Sequence, residues 1–342
     1  SGPIGGLIFD AAGNLYGTTY AGGTGSGTDC TSFSNGVPGC GTVFELTPMG
    51  GGYWTETVLY SFCPQGGFCS DGEEPVGSLI FDAAGNLYGT TQFSGGVFEL
   101  TPDGNGGWTE TVLHVFGGDG DGYYPEAGVV FDAAGNLYGT TSYGGYYDYG
   151  TAFEVMPQAG GGWTETVVWS FGDGTDGAYP EAGLILDAAG NLYGTNLGTA
   201  FELIKPHSGG NWTEQVLHDF GGNNDGFAPY AGLVFDAAGN LYGTTYYGGT
   251  SGQHCNGGSE RCGIAFELTP EAGGRWTETV LHDFGNGSDG ADPYASLILD
   301  SAGNLYGTTQ KGGAYGYGTV FELTPVLSHV SPCAVCRHDV LR

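Results

Sequence analysis

Five loops of this chain share the pattern Asp-Gly-x-x-Pro, which sets a carboxylate in a glycine-rich turn each time. Carboxylates and exposed carbonyls in such loops are hard oxygen ligands that suit Ca²⁺. The pattern does not have the ligand spacing of an EF-hand, however, and Asp-Gly followed by Pro is ordinary turn chemistry. Turn formation is therefore the preferred interpretation, and cation binding is the alternative. The aspartates concerned are Asp71, Asp121, Asp176, Asp225 and Asp289.

Glutamates recur at two places in the repeated sequence, on the third and fourth predicted strands (strands c and d). Two carboxylates that flank a bond are the machinery of a glycosidase. Catalysis needs one pair whose pKa values are separated, whereas these acids repeat along the whole chain. Solvated strand faces are the better interpretation. The strand c set is Glu45, Glu99, Glu154, Glu202, Glu267 and Glu322, and the strand d set is Glu56, Glu110, Glu165, Glu214 and Glu278.

Three histidines occupy one repeated position on strand d. They are His114, His218 and His282, and other repeats have Tyr60 and Trp169 at this position. Exchange with tyrosine and tryptophan indicates an aromatic packing position and not a ligand or a base. The sequence contains no nucleophile elbow, phosphate loop or dinucleotide fingerprint in a suitable context. We therefore predict no catalytic residues, and no cofactor unless the acidic loops bind Ca²⁺.

Aromatic residues crowd the loops between the second and third strands of the repeats. Between glycines, exposed rings can stack on the rings of a sugar or anchor a protein partner. They can equally cover the edges of the sheets, and the sequence does not decide between these roles. The residues best suited to a glycan ligand or a partner are Tyr143, Tyr146, Tyr147, Tyr246, Tyr247 and Tyr315.

The eight cysteines fall in local couples. An even count, loop positions and short separations predict disulfides formed in an oxidising compartment, with reduced buried thiols as the alternative. Near the C-terminus, His329 and His338 flank one couple at a spacing that would permit a tetrahedral metal site. A disulfide or a mobile tail is the more usual outcome there, so we predict no metal. The couples are Cys30 with Cys40, Cys63 with Cys69, Cys255 with Cys262, and Cys333 with Cys336.

Three phrases recur along the chain and define a repeat. Asn-Leu-Tyr-Gly-Thr and Phe-Glu-Leu each occur six times, and Trp-Thr-Glu occurs five times. The runs are short, rich in β-branched and aromatic residues, and bounded by Gly, Pro or Asp, which are strand signals. Each repeat thus predicts antiparallel strands a to d, with a tight Asp-Ala-Ala-Gly hairpin between a and b. In the second repeat these strands are Leu79–Asp82, Leu87–Thr91, Val97–Thr101 and Trp108–Phe116.

A four-stranded sheet in every repeat is the pattern of a β-propeller blade. A single blade has two apolar faces, which only neighbouring blades can bury. We therefore predict an all-β, six-bladed β-propeller over residues 1–325, with an open β-solenoid as the alternative. Length variation is concentrated in the b–c loops, which in a propeller emerge on the same face as the d–a loops. That face is predicted to be the functional one.

The sixth repeat ends after Phe-Glu-Leu without a Trp-Thr-Glu strand, so the last blade is predicted to lack its outer strand. An unpaired sheet edge is normally covered. The tail, residues 326–342, is one candidate for the missing strand. Alternatively, a strand of a neighbouring molecule completes the blade, and such head-to-tail contacts build a homo-oligomer or a filament.

The charge of the chain limits its partners. Thirty-seven acids stand against six lysines and arginines, a formal net charge of −31. Such a surface repels phosphate backbones and anionic lipids, so neither nucleic acid nor a membrane surface is an expected partner. No apolar run is long enough for a membrane-spanning helix. The chain does not begin with a charged-then-apolar leader, which is consistent with a mature product found outside the cell or at its surface.

In its three recurring phrases, Asn-Leu-Tyr-Gly-Thr, Phe-Glu-Leu and Trp-Thr-Glu, the chain resembles the choice-of-anchor tandem repeat family of exported bacterial proteins, called GloVer-type repeats. The resemblance covers residues 4–325 and rests on six copies of one long phrase. It implies a secreted or surface-attached β-propeller-like protein and no particular reaction. The family often carries a C-terminal anchor, whereas residues 326–342 contain no apolar tail that resembles a sorting signal.

The sequence favours a non-enzymatic, extracellular structural or adhesive propeller that self-assembles through its incomplete blade. A propeller that binds a glycan or Ca²⁺ on the b–c and d–a loop face is the first alternative. A glycan hydrolase or lyase is the second, and it would need one unrepeated acid–base pair in a single pocket.

Overall fold

A computed structural model describes most of the chain outside several loops and the C-terminal tail. Every regular element among the described residues is a β-strand. That part of the chain contains no helix with the length and apolar character needed to cross a membrane. The predicted tail lies outside it. The described residues are 2–25, 30, 39–65, 69–118, 120–207, 209–221, 225–250, 262–286 and 289–324.

The strands fall into two compact units, residues 1–172 and residues 173–342. Each unit contains three four-stranded sheets, and each sheet corresponds to one repeat, or blade, of the sequence. The strands of the first unit are β1 (Ile8–Phe9), β2 (Leu15–Thr19), β3 (Thr42–Gly50), β4 (Tyr53–Ser61), β5 (Ile80–Phe81), β6 (Leu87–Thr91), β7 (Gly96–Pro102), β8 (Trp108–Val115), β9 (Gly122–Tyr123), β10 (Val130–Phe131), β11 (Leu137–Thr141), β12 (Tyr143–Gly144), β13 (Thr151–Pro157) and β14 (Trp163–Ser170). Those of the second unit are β15 (Ile185–Leu186), β16 (Leu192–Thr195), β17 (Thr199–Ile204), β18 (Thr213–Asp219), β19 (Gly226–Phe227), β20 (Val234–Phe235), β21 (Leu241–Thr245), β22 (Tyr247–Gly248), β23 (Ile264–Pro270), β24 (Trp276–Asp283), β25 (Gly290–Pro293), β26 (Ile298–Leu299), β27 (Leu305–Gly312) and β28 (Thr319–Leu323).

In five blades the strands lie side by side in the order a, b, c, d, as antiparallel neighbours. The first blade, for example, is β1-β2-β3-β4. In the sixth blade, β26, β27 and β28 are strands a, b and c, and β25 of the preceding loop pairs with the far end of β27. No strand d follows β28 within the described residues, as the missing Trp-Thr-Glu phrase predicts. The chain has the predicted all-β fold, a six-bladed β-propeller of four-stranded antiparallel sheets.

An aspartate closes the turn between strands a and b in every blade. In the second blade, Asp82 Oδ1 accepts the backbone amide of Asn86 at 2.8 Å, and Oδ2 accepts the side-chain amide of the same residue at 2.8 Å. Gly85 has a φ of +88°, a left-handed conformation in which a side chain would be strained. The predicted hairpin is confirmed, and because Asp82 belongs to the turn, strand a is shorter than predicted.

The tyrosine of strand b ties this turn to strand c. The hydroxyl of Tyr88 lies 2.9 Å from Glu99 Oε1 and 3.3 Å from Asp82 Oδ2. Burial, and then the carboxylate of Glu99, raise the pKa of Tyr88, so the phenol keeps its proton and serves as a donor. The strand c glutamates are half-buried acceptors, and their interpretation as solvated acids is wrong. The other trios are Asp10, Tyr16 and Glu45; Asp132, Tyr138 and Glu154; Asp187, Tyr193 and Glu202; Asp236, Tyr242 and Glu267; and Asp300, Tyr306 and Glu322.

The glycine of strand b makes room for the phenylalanine of strand c. A Cβ on Gly89 would lie 2.6 Å from Cζ of Phe98 and 2.9 Å from Cδ2 of Leu79, closer than real atoms approach. The same crowding occurs in all six blades, which is why Gly follows Leu-Tyr in each of them. The other pairs are Gly17 with Phe44, Gly139 with Phe153, Gly194 with Phe201, Gly243 with Phe266, and Gly307 with Phe321.

The core lies between successive blades. In the first unit, one cluster joins Tyr16 and Val43 of the first blade to Leu87 and Phe98 of the second, and another joins the second blade to the third. In the second unit, one cluster joins the fourth and fifth blades, and another joins the fifth and sixth. Both faces of a central blade are thus buried against its neighbours, as the two apolar faces of each repeat predict.

Two of the predicted disulfides lie in the first unit. They are Cys30–Cys40 and Cys63–Cys69, and all four cysteines are buried. Their four sulfur atoms lie within 4.8 Å of one another, so the two bridges form one cluster. Cys262 is also disulfide-bonded. Its predicted partner Cys255, and the predicted couple Cys333 and Cys336, lie outside the described residues.

We expect the substitution Gly89→Ala to destabilise the protein by about 1–3 kcal/mol, because the rings and methyl groups around the new Cβ must shift in a close-packed core. Urea unfolding followed by tryptophan fluorescence measures the change. Gly160→Ala is the matched control, since a Cβ there meets no atom within 4 Å and the backbone is not left-handed. Equal stabilities of the two variants would contradict the packing role of this glycine.

Candidate functional site

The aspartates of the Asp-Gly-x-x-Pro loops hold these loops in shape. Asp121 Oδ1 accepts the backbone amide of Gly122 at 2.7 Å, and Asp176 is buried, with 4% of its surface exposed. The predicted turn role is confirmed, while Ca²⁺ binding by these aspartates stays a prediction. Asp225 Oδ1 and Asp289 Oδ1 accept the amides of Gly226 at 2.7 Å and Gly290 at 2.8 Å in the same way, whereas Asp71 Oδ2 accepts the amide of Cys63, eight residues earlier, at 2.9 Å.

A left-handed residue precedes the proline of each of these loops. Tyr124 has a φ of 56°, and its carbonyl accepts the amide of Ser142, in the next b–c loop, at 3.0 Å. The short strands β9 and β12 pair the same two loops, and β19 and β22 pair those of the fifth blade. The d–a and b–c loops therefore form one surface, here called the loop face, as the sequence predicts. The left-handed residues are Glu74, Tyr124, Tyr179, Ala228 and Asp292.

The loop face of the third blade carries a cluster of exposed tyrosines. Tyr146 is 84% exposed, and each of the other members is between 38% and 44% exposed. The rings of Tyr124 and Tyr143 meet edge to face at 5.8 Å, and those of Tyr146 and Tyr147 at 4.9 Å. The structure thus brings three predicted ligand-binding residues together. This group, the tyrosine patch, consists of Tyr123, Tyr124, Tyr143, Tyr146, Tyr147 and Tyr149.

The second unit separates its predicted aromatic residues. Tyr246 and Tyr247 pack edge to face at 4.6 Å, and the Tyr246 hydroxyl donates to Gln310 Oε1 at 2.9 Å. The ring of Tyr294 packs on Tyr246 at 6.0 Å. Tyr246 and Tyr247 are half-buried, so they cover the loops of the fifth blade. Tyr315, in the sixth blade, is 89% exposed.

Four strand d glutamates are half-buried, and their interpretation as solvated acids is wrong. One oxygen of each, Oε1, is buried with no hydrogen-bond partner among the described residues. Burial, and then the charge of the aspartate in the preceding d–a loop, raise the pKa values of Glu110, Glu165 and Glu214 to about 7. Burial also raises the pKa of Glu278. Glu56, in the first blade, is exposed as predicted.

The strand d histidines bond to the loop aspartates. The ring of His114 also packs edge to face on Phe116 at 4.8 Å, and the other two histidines pack in the same way. The predicted packing role is therefore confirmed, whereas the bond from each ring to a carboxylate was not predicted. The distances from Nε2 to Oδ2 are 3.0 Å for His114 and Asp121, 3.0 Å for His218 and Asp225, and 2.8 Å for His282 and Asp289.

A tyrosine takes the place of histidine in the first blade. Tyr60 Oη donates to Asp71 Oδ2 at 2.9 Å, so a phenol and an imidazole make equivalent bonds to the loop. The signal for this contact was present in the sequence. Each of the three histidines precedes its aspartate by seven residues. Nothing local in the sequence indicates that in two cases the strand d glutamate of the following blade lies beside this histidine and aspartate.

Comparison with known proteins identifies the repeat. The family model described as the Gloeobacter/Verrucomicrobia repeat matches residues 27–252 and 196–332, which confirms the GloVer-type resemblance. No curated protein matches the sequence.

Solved structures share the fold at low identity. Virginiamycin B lyase from Staphylococcus aureus has a TM-score of 0.53 and 14% identity, over 100% of this chain and 85% of that protein. A gluconolactonase-like protein has a TM-score of 0.50 and 13% identity, over 94% of this chain and 89% of that protein. At these identities the similarity shows the fold alone.

The half-buried glutamates should make the protein less stable as the pH rises. The pKa values of Glu110 and Glu214 are about 7 in the folded protein, above the ordinary value of 4.5, so the folded state binds more protons than the unfolded state between these limits. Stability is therefore fully present below about pH 4.5 and falls as the pH rises from there through about 7. Solvent screening reduces the effect, because both side chains are partly exposed.

We expect Glu110→Gln and Glu214→Gln each to recover about 1 kcal/mol at pH 8 and nothing at pH 4. Thermal unfolding from pH 4 to pH 8 measures this change. Glu56→Gln, on the exposed strand d of the first blade, should leave the pH profile unchanged. Identical profiles for all three variants and the parent protein would rule out a contribution from these carboxyls.

Proposed function

We propose that this chain, which belongs to the Gloeobacter/Verrucomicrobia repeat family, is a non-enzymatic extracellular adhesive propeller that binds glycans on its loop face. The observation that carries the proposal is the tyrosine patch. Six tyrosines crowd one pair of loops, and every one of them exposes more than a third of its surface. Exposed rings in such number are costly in water and are typical of a recognition surface.

The tyrosine patch is rigid enough to bind without reorganisation. The β9–β12 pairing holds its two loops together, and within the b–c loop Asp148 Oδ1 accepts the amide of Gly144 at 3.2 Å. Tyrosine offers a large amphipathic contact area at low entropic cost, since it has few rotatable bonds. A preordered loop surface of this kind gains affinity because little freedom is lost on binding.

Chemistry favours a glycan as the occupant. The faces of sugar rings present C–H groups that stack on aromatic rings, and the surrounding hydroxyl groups can bond to the phenols. The formal net charge of −31 opposes nucleic acids and anionic lipids. It leaves neutral and cationic polysaccharides as the suitable class.

An extracellular and non-enzymatic role is supported by two further features. The buried disulfides Cys30–Cys40 and Cys63–Cys69 are typical of proteins that fold in an oxidising compartment. A carboxyl with a pKa near 7 suits acid–base catalysis, but here the same shift recurs on strand d of three blades. An enzyme would set one such group apart from the others in an open pocket.

We expect the double substitution Tyr143→Ser, Tyr146→Ser to weaken glycan binding by about tenfold or more, the usual cost of removing aromatic anchors from an interface. A glycan array finds the ligand, and calorimetric titration with the strongest hit measures the affinity. Tyr53→Ser is the matched control, because Tyr53 is 76% exposed but lies on β4, outside the tyrosine patch. An array without any bound glycan, or an equal loss in the Tyr53 variant, would refute the proposal.

Self-assembly is a second candidate function, and one observation favours it. Val320, on strand c of the sixth blade, is 51% exposed. The equivalent residues of the other five blades, each of which has a strand d, are fully buried at 0%. The outer edge of β28 therefore offers an apolar strand on which a strand of a second copy can pair. Repeated head to tail, this contact builds a filament. The equivalent residues are Val43, Val97, Ala152, Ala200 and Ala265.

We expect the intact protein to form polymers that dissociate when residues 326–342 are deleted or when Val320→Lys places a charge on the edge. Light scattering and negative-stain microscopy measure the assembly. Val115→Lys is the control, because Val115 is 52% exposed on strand d of a complete blade, where a charge is tolerated. A monomeric intact protein, or polymers that persist in both altered proteins, would exclude this role.

A further inference from the structure

Two interblade groups combine one histidine with two carboxylates. The histidine belongs to strand d of one blade, the aspartate to the loop that follows, and the glutamate to strand d of the next blade. In each group, one nitrogen or oxygen from every residue lies within 4.8 Å of the other two. The groups are His114, Asp121 and Glu165 in the first unit, and His218, Asp225 and Glu278 in the second.

A buried oxygen in each group is left without a partner. Oε1 of Glu165 and Oε1 of Glu278 are buried and accept no hydrogen bond from any described residue. A buried acceptor in that condition costs free energy, and a carboxylate costs more than a neutral group. Either a proton or a bound cation would remove the cost.

The donor set favours a cation of a definite kind. One imidazole nitrogen and two carboxylate oxygens suit zinc and related first-row divalent ions, whereas Ca²⁺ prefers oxygen ligands alone. Nε2 of His114 is already 3.0 Å from Oδ2 of Asp121, a separation that two ligands of one such ion can have. Their side chains are 21% and 12% exposed, so solvent reaches the group from one side.

We propose that each of these groups is a binding site for a zinc-like divalent ion, which joins strand d of one blade to the loop and strand d of its neighbour. The two carboxylates balance the charge of the ion, and the ion is the partner that the buried glutamate oxygen otherwise lacks. Metal binding to the folded state then stabilises the contact between blades by mass action. The sites share no residue with the tyrosine patch.

The first blade supplies the control for this proposal. Its interface has Tyr60, Asp71 and Glu110 at the equivalent positions, and Tyr60 bonds to Asp71 at 2.9 Å. A phenol with a raised pKa keeps its proton and is a poor ligand for such an ion. Substitution of histidine by tyrosine therefore removes the nitrogen ligand but keeps the bond that shapes the loop.

The experiment uses Co²⁺, whose visible spectrum reports its ligands, on the metal-stripped full chain without reductant, so that disulfide-bonded cysteines do not compete. We expect the intact protein to bind two more ions per chain than the His114→Tyr, His218→Tyr double variant, as the two groups predict. Each single variant should lose one ion, and Tyr60→His should gain one. Added Zn²⁺ should raise the melting temperature of the intact protein more than that of the double variant.

The melting temperatures of the metal-stripped proteins test the fold itself. The intact protein and the double variant should melt at the same temperature without metal, because a tyrosine already makes the bond to the loop aspartate in the first blade. An intact chain that binds no more Co²⁺ than the double variant would overturn the proposal and indicate that a proton satisfies the buried glutamate oxygen.

Discussion

Each sheet of this protein has two apolar faces, and water must be kept from both of them. The clusters of buried side chains accordingly take their members from two successive blades, as when Tyr16 and Val43 of the first blade meet Leu87 and Phe98 of the second. Within the blade, the absence of a Cβ on the strand b glycine leaves room for the strand c phenylalanine ring. The interface between blades is therefore the unit on which stability depends, and the turns and loops serve to keep its two sides aligned.

The same interface explains where the acids are. The strand d glutamates Glu110, Glu165, Glu214 and Glu278 each bury one carboxyl oxygen, and Glu165 and Glu278 lie beside the histidine and aspartate of the preceding blade. There they meet the aspartate that shapes the preceding loop, and burial changes their proton affinity. Structural carboxylates of the loops thus become part of a charged seam. Two members of the tyrosine patch, Tyr123 and Tyr124, lie on the d–a loop that Asp121 shapes.

The sequence predicted the parts of this arrangement that repeat locally. The phrases from Asn-Leu-Tyr to Trp-Thr-Glu predicted the strands, the hairpin held by Asp82, the disulfides of the first unit and the incomplete sixth blade, because each depends on neighbours in the chain or on counting. It did not predict that Glu99 accepts from Tyr88, or that Glu165 lies beside His114. Those contacts join residues on different strands or blades, and an acid that repeats regularly looks like a solvated face until the packing of the sheets is known.

The left-handed residue before each loop proline has a consequence for how such surfaces diversify. Its backbone bonds in the second, third and fifth blades join it to the following b–c loop, yet its side chain is Glu74, Tyr124 or Ala228. These backbone hydrogen bonds thus form whether the left-handed residue carries a carboxylate, an aromatic ring or a methyl group. Only Tyr124 of the three is exposed, whereas Glu74 and Ala228 are buried, so a substitution at this position alters the outer surface of one blade and the packing under the loop of another.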